Sequence, residues 1–380
     1  MQTITNSEMK AFRRCHRLHH YLYNLGYRAV ADVKALRFGS LFHVGQEAWW
    51  RTLGDRLDAA LASMATAAVD MDPFERVDAE ELMRGYHFRW RNEPLLTLAV
   101  EEEFSAPLVN PDTGRASQTF VLGGVIDAVV SDEQARKLNV EHKSSSEDIT
   151  PGSPYWARLR MDSQVSVYFP GAEALGHKVS ACLYDVVKKP TIQPYKATPM
   201  ESRKYTAPKF KACPACKLKT SPPAPHDVVL GEDASGYRVT CEPDPEKPGV
   251  RRVCTDPGGK LYSNLRDADE TPDEYRARLR DDIASNPDKY YQRSEVVRLE
   301  EELHEHAANT WDTARLIREA QLLNRHPQNP DACFAYHREC DFFKVCTKQA
   351  SLDDPALYER IENVHRELKA PTTPAAGERP

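Results

Sequence analysis

Val140-Glu141-His142-Lys143 is a short apolar run that ends in an acid and a lysine two residues apart. In a strand, successive side chains alternate faces, so Glu141 and Lys143 point the same way. Fourteen residues before Glu141 lies Asp127, at the end of a second strand-like run, Phe120-Val121-Leu122-Gly123-Gly124-Val125-Ile126. The short loop between the runs makes them neighbouring strands, and Gly123-Gly124 allows close backbone approach. Two carboxylates and the backbone carbonyl of His142 form an oxygen site suited to Mg²⁺ or Mn²⁺. Such an ion stabilises charge building on a phosphate and lowers the pKa of an attacking water. Lys143 would orient that water or stabilise the phosphoryl group. Taken singly, these residues are ordinary: a Glu-x-Lys triplet is most often surface charge, Asp127 a turn cap, Lys143 a solvated strand end. The elements around them separate the readings.

At 380 residues the chain can bury a full core and carry a second module. A hydrophobic share of 41% suits a soluble protein, and no apolar stretch reaches the length of a membrane span. The N-terminus lacks the apolar core and cleavage site of a signal peptide, so a cytoplasmic location is expected. Nine cysteines there argue for metal ligation or buried thiols rather than a disulfide scaffold. The net charge of −6 gives no global nucleic-acid signature, although a groove needs only a local basic lining.

Thr5-Asn6-Ser7-Glu8 is a capping-box pattern that opens an aromatic, basic helix. Residues 10–37 hold seven Lys/Arg against one acid, Asp32, and Arg13, Arg14 and Arg17 could line the entry for a DNA strand. A second helix is predicted from Phe38-Gly39 towards Ala68 and a third over Ala79–Trp90. Strands follow at Leu95–Phe104, Gln118–Val130 and Lys137–Lys143. Pro154–Leu175 reads as one helix stopped by Gly176, and Val179–Val187 as a fourth strand. This order predicts a mixed α/β fold, a central mixed sheet flanked by helices. Residues 1–187 would form the N-terminal helices and core. Residues 188–289, holding about half of the prolines, read as an insertion. A charged helix is predicted over Ser294–Leu323, preceded by Arg293 as a possible phosphate contact. Residues 290–369 would complete the core, and 370–380 would be a disordered tail.

Asp127…Glu141-His142-Lys143 resembles the core of the PD-(D/E)XK nuclease superfamily, and more closely its RecB-like branch of exonucleases, CRISPR-associated and phage enzymes included. The resemblance implies a restriction-endonuclease-like core. Phe38-Gly39-Ser40-Leu41-Phe42-His43 fits the family's helix motif with a metal-binding histidine. Gln164-Val165-Ser166-Val167-Tyr168 matches its glutamine–tyrosine motif, the two residues one helical turn apart on one face. No proline precedes Asp127 and Ala128 follows it, so the nominal first dipeptide is absent. By resemblance His43, Asp127 and Glu141 hold the ion with the His142 carbonyl, Lys143 assists, and Gln164 and Tyr168 buttress Lys143 or touch DNA.

Cys333, Cys340 and Cys346 cluster late, and Cys15 stands near the start. One early and three late cysteines resemble the set that holds a 4Fe–4S cluster and clasps the chain ends in several RecB-like nucleases. The first late gap is six residues, longer than usual there, and zinc on the same thiols is the rival. Cys213-Pro214-Ala215-Cys216 is a knuckle which, with Cys241 and Cys254, could hold Zn²⁺ in the insertion. The expected function is a Mg²⁺- or Mn²⁺-dependent DNA nuclease, an exonuclease in repair, recombination or phage- and CRISPR-type processing. The alternative is a non-catalytic DNA-binding recombination accessory protein on the same fold. No helicase phosphate loop occurs, so unwinding would need a helicase or recombinase in trans.

Overall fold

In the computed structural model, residues 1–30, 34–199, 205–206, 226–230, 237–243, 251–255, 260–261, 265–335 and 338–368 are described. The chain divides into one unit built from residues up to Thr191 and from Leu279 onward, and a second, Ile192–Arg278. The first unit opens with strand β1 (Gln2–Thr5), helix α1 (Asn6–Arg14), helix α2 (His16–His19), a π-helical turn at His20–Asn24 and strand β2 (Tyr27–Ala29). Helices α3 (Lys34–Arg51), α4 (Arg56–Ala67) and α5 (Pro73–Trp90) follow, then strands β3 (Leu96–Val109), β4 (Ala116–Ser131) and β5 (Lys137–Ser145). The crossover α6 (Pro154–Leu159) and α7 (Ser163–Ala174) leads to β6 (Ala181–Lys188).

A mixed α/β fold is therefore observed, with the sheet order β1-β4-β5-β6 and β3 on β4. β3 lies antiparallel to β4 along one whole edge, from Leu96↔Ser131 to Val109↔Ala116. β1 pairs parallel with Phe120–Gly123, and β5 antiparallel with Ala128–Ser131, so both must share the other edge. Between them, 124–127 of β4 face a fork in the sheet, and Asp127 sits where β4 and β5 begin to diverge. A side chain at Gly123 would meet the Thr3 side chain at 2.4 Å, so the glycine permits β1 to close up at the fork. β5 and β6 are parallel, with Glu141↔Tyr184 and His142↔Asp185 in register.

The Ile192–Arg278 unit contains strands β7 (Tyr205–Thr206), β8 (His226–Leu230), β9 (Tyr237–Pro243), β10 (Arg251–Thr255) and β11 (Lys260–Leu261). The chain continues through α8 (Pro272–Ser285), α9 (Pro287–Tyr290), β12 (Tyr291–Val296) and α10 (Glu300–Leu323). Short strands β13 (Phe334–Ala335) and β14 (Arg338–Glu339), helix α11 (Phe343–Cys346) and strand β15 (Tyr358–Arg360) end the described chain. β12 adds to the main sheet antiparallel to β6.

Residues of α1, α7 and α10 pack on one face of the sheet around Phe12, Val165, Tyr168 and Ile317. Trp49, Trp50 and Tyr86, from α3 and α5, are buried against the other, where Tyr86 donates to Asp185 and Gln46 meets His142. Three sequence expectations are corrected. The second helix breaks at 52–55 into α3 and α4, where Asp55 caps the latter. The predicted 154–175 helix breaks at 160–162, where Asp162 accepts from the Gln164 amide at 3.0 Å and caps α7. Ser294, expected to begin a helix, lies in β12, and α10 begins only at Glu300. The Gly176 stop is seen as expected: its φ of +82° lets its amide and that of His177 cap the Glu173 and Ala172 carbonyls at 2.9 and 2.8 Å.

Candidate active site

Glu141 and Lys143 leave β5 on the same face, as strand alternation requires. Glu141 is 1% exposed, and its carboxylate accepts from the Lys143 ammonium and from the Tyr168 hydroxyl. Tyr168 also accepts from Gln164 Nε2 at 2.7 Å, and Gln164 Oε1 accepts from Lys143 at 3.3 Å. The first two turns of α7 thus brace the lysine and the acid together, because the two helical residues are one turn apart. Asp127 Oδ2 accepts from the His142 amide at 2.7 Å, which ties the diverging strands at the fork. On α3, His43 Nε2 lies 2.8 Å from Glu101 Oε1 on β3. The ligand atoms of His43, Glu101 and Asp127 all lie within 4.8 Å of one another. His43, Glu101, Asp127, Lys143, Gln164 and Tyr168 line one cleft of about 880 Å³.

Charge here is set by burial against proximity. Burial pushes the Glu141 pKa up and the Lys143 charge, the next largest influence, pulls it down; the carboxyl remains raised. Burial works against the Lys143 ammonium, but Glu141 and Asp127 outweigh it and raise its pKa. Tyr168 is held well above the ordinary phenol value, first by burial and then by the Glu141 charge. On the opposite face of β5, His142 Nδ1 lies 3.1 Å from Asp185 Oδ2 and 3.1 Å from Gln46 Nε2. That layer anchors α3, and with it His43, to the strand that carries Glu141.

A family model for the PD-(D/E)XK nuclease superfamily matches residues 3–347. The chain belongs to the PD-(D/E)XK nuclease superfamily. Nuclease hydrolysis is that superfamily's chemistry. No curated protein matches the chain significantly. Among solved structures, one titled "Crystal structure of SSO0001" aligns at 12% identity with a TM-score of 0.19, over 39% of this chain and 59% of that one.

The six predicted residues of this PD-(D/E)XK chain, His43, Asp127, Glu141, Lys143, Gln164 and Tyr168, come together at the cleft or directly beneath it. Glu101 was not anticipated: the sequence places it within the Leu95–Phe104 strand and attaches no motif to it. Cys15, Cys333, Cys340 and Cys346 are free thiols lining one cavity of about 180 Å³ with Tyr21 and Phe342. Burial raises the pKa of both Cys333 and Cys340. Arg13 donates to the Met9 carbonyl at 3.3 Å, Arg14 to Ala332 at 3.2 Å and Arg17 to His326 at 2.7 Å. The latter two fasten the first helices to the cysteine-bearing segment. The expected phosphate contact by Arg293 is corrected: its side chain is 5% exposed and paired with Asp185 at 3.0 Å and with Glu93. Cys213 and Cys216 lie outside the described residues. Cys241 and Cys254 lie on paired strands β9 and β10, with Val253↔Cys241 and Cys254↔Thr240 in register. Among the described residues no helix is long and apolar enough to cross a membrane.

Proposed function

We propose that the chain is a Mg²⁺- or Mn²⁺-dependent deoxyribonuclease of the RecB-like branch, acting as an exonuclease on DNA ends in repair, recombination or phage- and CRISPR-type processing. The convergence of His43, Asp127, Lys143, Gln164 and Tyr168 on one cleft, with Glu141 bonded to Lys143 and Tyr168, carries this reading. The carboxylate and carbonyl oxygens suit Mg²⁺ or Mn²⁺, a single imidazole favours Mn²⁺ of the two, and the ligand atoms of His43, Asp127 and Glu101 already converge. His43, Asp127 and Glu141 would hold it with the His142 carbonyl. When bound, it supplies charge stabilisation at the phosphate and a more acidic water.

The chain's own groups do the remaining work. Lys143 keeps its charge at neutral pH and can donate to a phosphoryl oxygen or hold the attacking water. Gln164 steadies the ammonium, and Tyr168 remains a phenol that fixes one oxygen of Glu141. A helicase or recombinase in trans would supply unwinding.

The four clasp thiols support an iron–sulfur reading over zinc. Tetrahedral zinc with bonds of ~2.3 Å would draw four sulfurs to about 3.8 Å from one another. Among the described residues, the group of three or more such ligand atoms that closes to within 4.8 Å is His43, Glu101 and Asp127, and the four thiols do not form one. Cys15, Cys333, Cys340 and Cys346 instead ring a cavity, which suits a 4Fe–4S cluster.

The test uses end-labelled linear DNA and covalently closed circles, with Mn²⁺ or Mg²⁺. Linear DNA should be degraded and circles spared. Lys143→Ala should lower turnover by about 10²-fold or more at a temperature where circular dichroism shows the variant folded, its melt falling because buried Glu141 loses its cation. Wild-type turnover in Lys143→Ala would sink the mechanism, and equal cutting of circles would sink the exonuclease reading.

A further inference from the structure

We propose that Glu101 is a metal ligand of this site, held in place by an unusual backbone. The inference rests on the nuclease reading above and adds a residue to it. Glu101 lies inside strand β3 yet has φ +52°, a left-handed conformation that non-glycine residues adopt rarely, and more rarely inside a strand. Its neighbours remain in register, with Val100↔Ala128 and Glu102↔Ile126, so Glu101 stands across the ladder from Asp127. The burial phase changes at this point. Ala99 is buried before it and Phe104, Ala106 and Leu108 after it, positions of opposite parity, while Glu102 and Glu103 are both exposed. The kink turns one of three consecutive acids into the cleft and leaves the other two in solvent.

The chemistry at that spot calls for a cation. Glu101 Oε1 is 2.8 Å from His43 Nε2, and both lie within 4.8 Å of an Asp127 oxygen. Two carboxylates this close repel; an imidazolium at His43 offsets one of their charges, and a divalent ion offsets both. Glu141, by contrast, is occupied by Lys143 and Tyr168. The acid that directly meets the metal-binding histidine is therefore Glu101. A surface salt bridge with His43 alone would need neither Asp127 nor a left-handed residue.

Mn²⁺ binding, read by the loss of the free-ion electron paramagnetic resonance signal, tests this without any turnover. Glu101→Gln should weaken Mn²⁺ binding about tenfold or more, as should Asp127→Asn, while Glu102→Gln leaves it unchanged. Glu101→Gly guards against a folding artefact. It relieves the backbone strain while removing the carboxylate, and should bind Mn²⁺ more weakly than wild type. Wild-type Mn²⁺ affinity in either Glu101 variant, with binding lost in Asp127→Asn, overturns the assignment and leaves the nuclease reading intact. A wild-type protein that binds no Mn²⁺ overturns both.

Discussion

The hydrogen bond between His43 and Glu101 depends on the proton His43 carries. Burial alone would favour the neutral ring, but the Glu101 hydrogen bond and the charges of Asp127, Glu101 and Glu141 outweigh it and lift the pKa to about 9. An unfolded histidine titrates near ~6.5. The folded value is the higher one, so the contribution to stability is complete below about pH 6.5 and lost as pH rises through about 9. In chelator-treated protein, the wild-type Tm should fall over that window more steeply than the Tm of His43→Gln. Parallel Tm curves for the two proteins would remove His43 as the source. The six residues that meet at or beneath the cleft were picked out in the sequence as a set, Glu141 and Lys143 by strand alternation and His43, Gln164 and Tyr168 by their resemblance to the family's motifs. Glu101 was not, since three acids in a row have no periodicity and a single left-handed residue leaves no mark in composition. Arg293 was misread for a related reason. A lone arginine looks like a surface cation until Asp185, far away in sequence, is shown to bury it.

At the level of elements, the break between α6 and α7 decides where Gln164 and Tyr168 stand. Two helices meeting at 160–162 leave carbonyls at the end of α6 and an exposed start to α7. Asp162 caps the start, and Arg298, 9% exposed, donates to the carbonyls of Leu159 at 3.2 Å and Asp162 at 3.1 Å and to Ser166 Oγ at 3.0 Å. Arg298→Ala strips partners from two buried acceptors and one part-buried one, and should cost roughly 2–4 kcal/mol in urea unfolding. A loss below about 0.5 kcal/mol would mean that those acceptors find water or other donors. The Asp162-Ser163-Gln164 cap is a sequence signal, but the continuous helical period of 154–175 masks it. The same masking hid β12. Tyr291 to Val296 joins a helical-looking charged run, and only pairing with β6 makes it a strand. β1 was missed because four residues carry too little alternation, and its partner β4 is more than a hundred residues away.

Across the whole molecule, the two ends of the described chain form one clasp. β2 pairs with β15, Phe342 packs against Tyr21 and stacks on Tyr358, and the Arg17 amide donates to Pro327 at 3.1 Å. The same N-terminal segment supplies β1 to the catalytic sheet, and Thr5, Asn6 and Ser7 line the cleft. The sequence reading placed a composition shift at 188–289, and the chain's second unit spans Ile192–Arg278. Among the described residues, the clasp's own core is three buried residues, Tyr21, Phe342 and Tyr358, with partly buried side chains around them, whereas the core around the sheet is many times larger. So small a core does not stabilise a module alone, and a metal centre at Cys15, Cys333, Cys340 and Cys346 would supply what is lacking. Anaerobically purified protein should therefore be brown, with iron and sulfide in matching amounts; stoichiometric zinc would refute the cluster. Cys340→Ser should lose that colour. In hydrogen exchange, β2 and β15 should then lose protection while β4 and β5 keep theirs, because the two buried clusters are distinct and the metal centre touches only the smaller. Equal loss in β4 and β5 would show instead that clasp and catalytic sheet unfold as one, and that the metal centre stabilises the nuclease site itself.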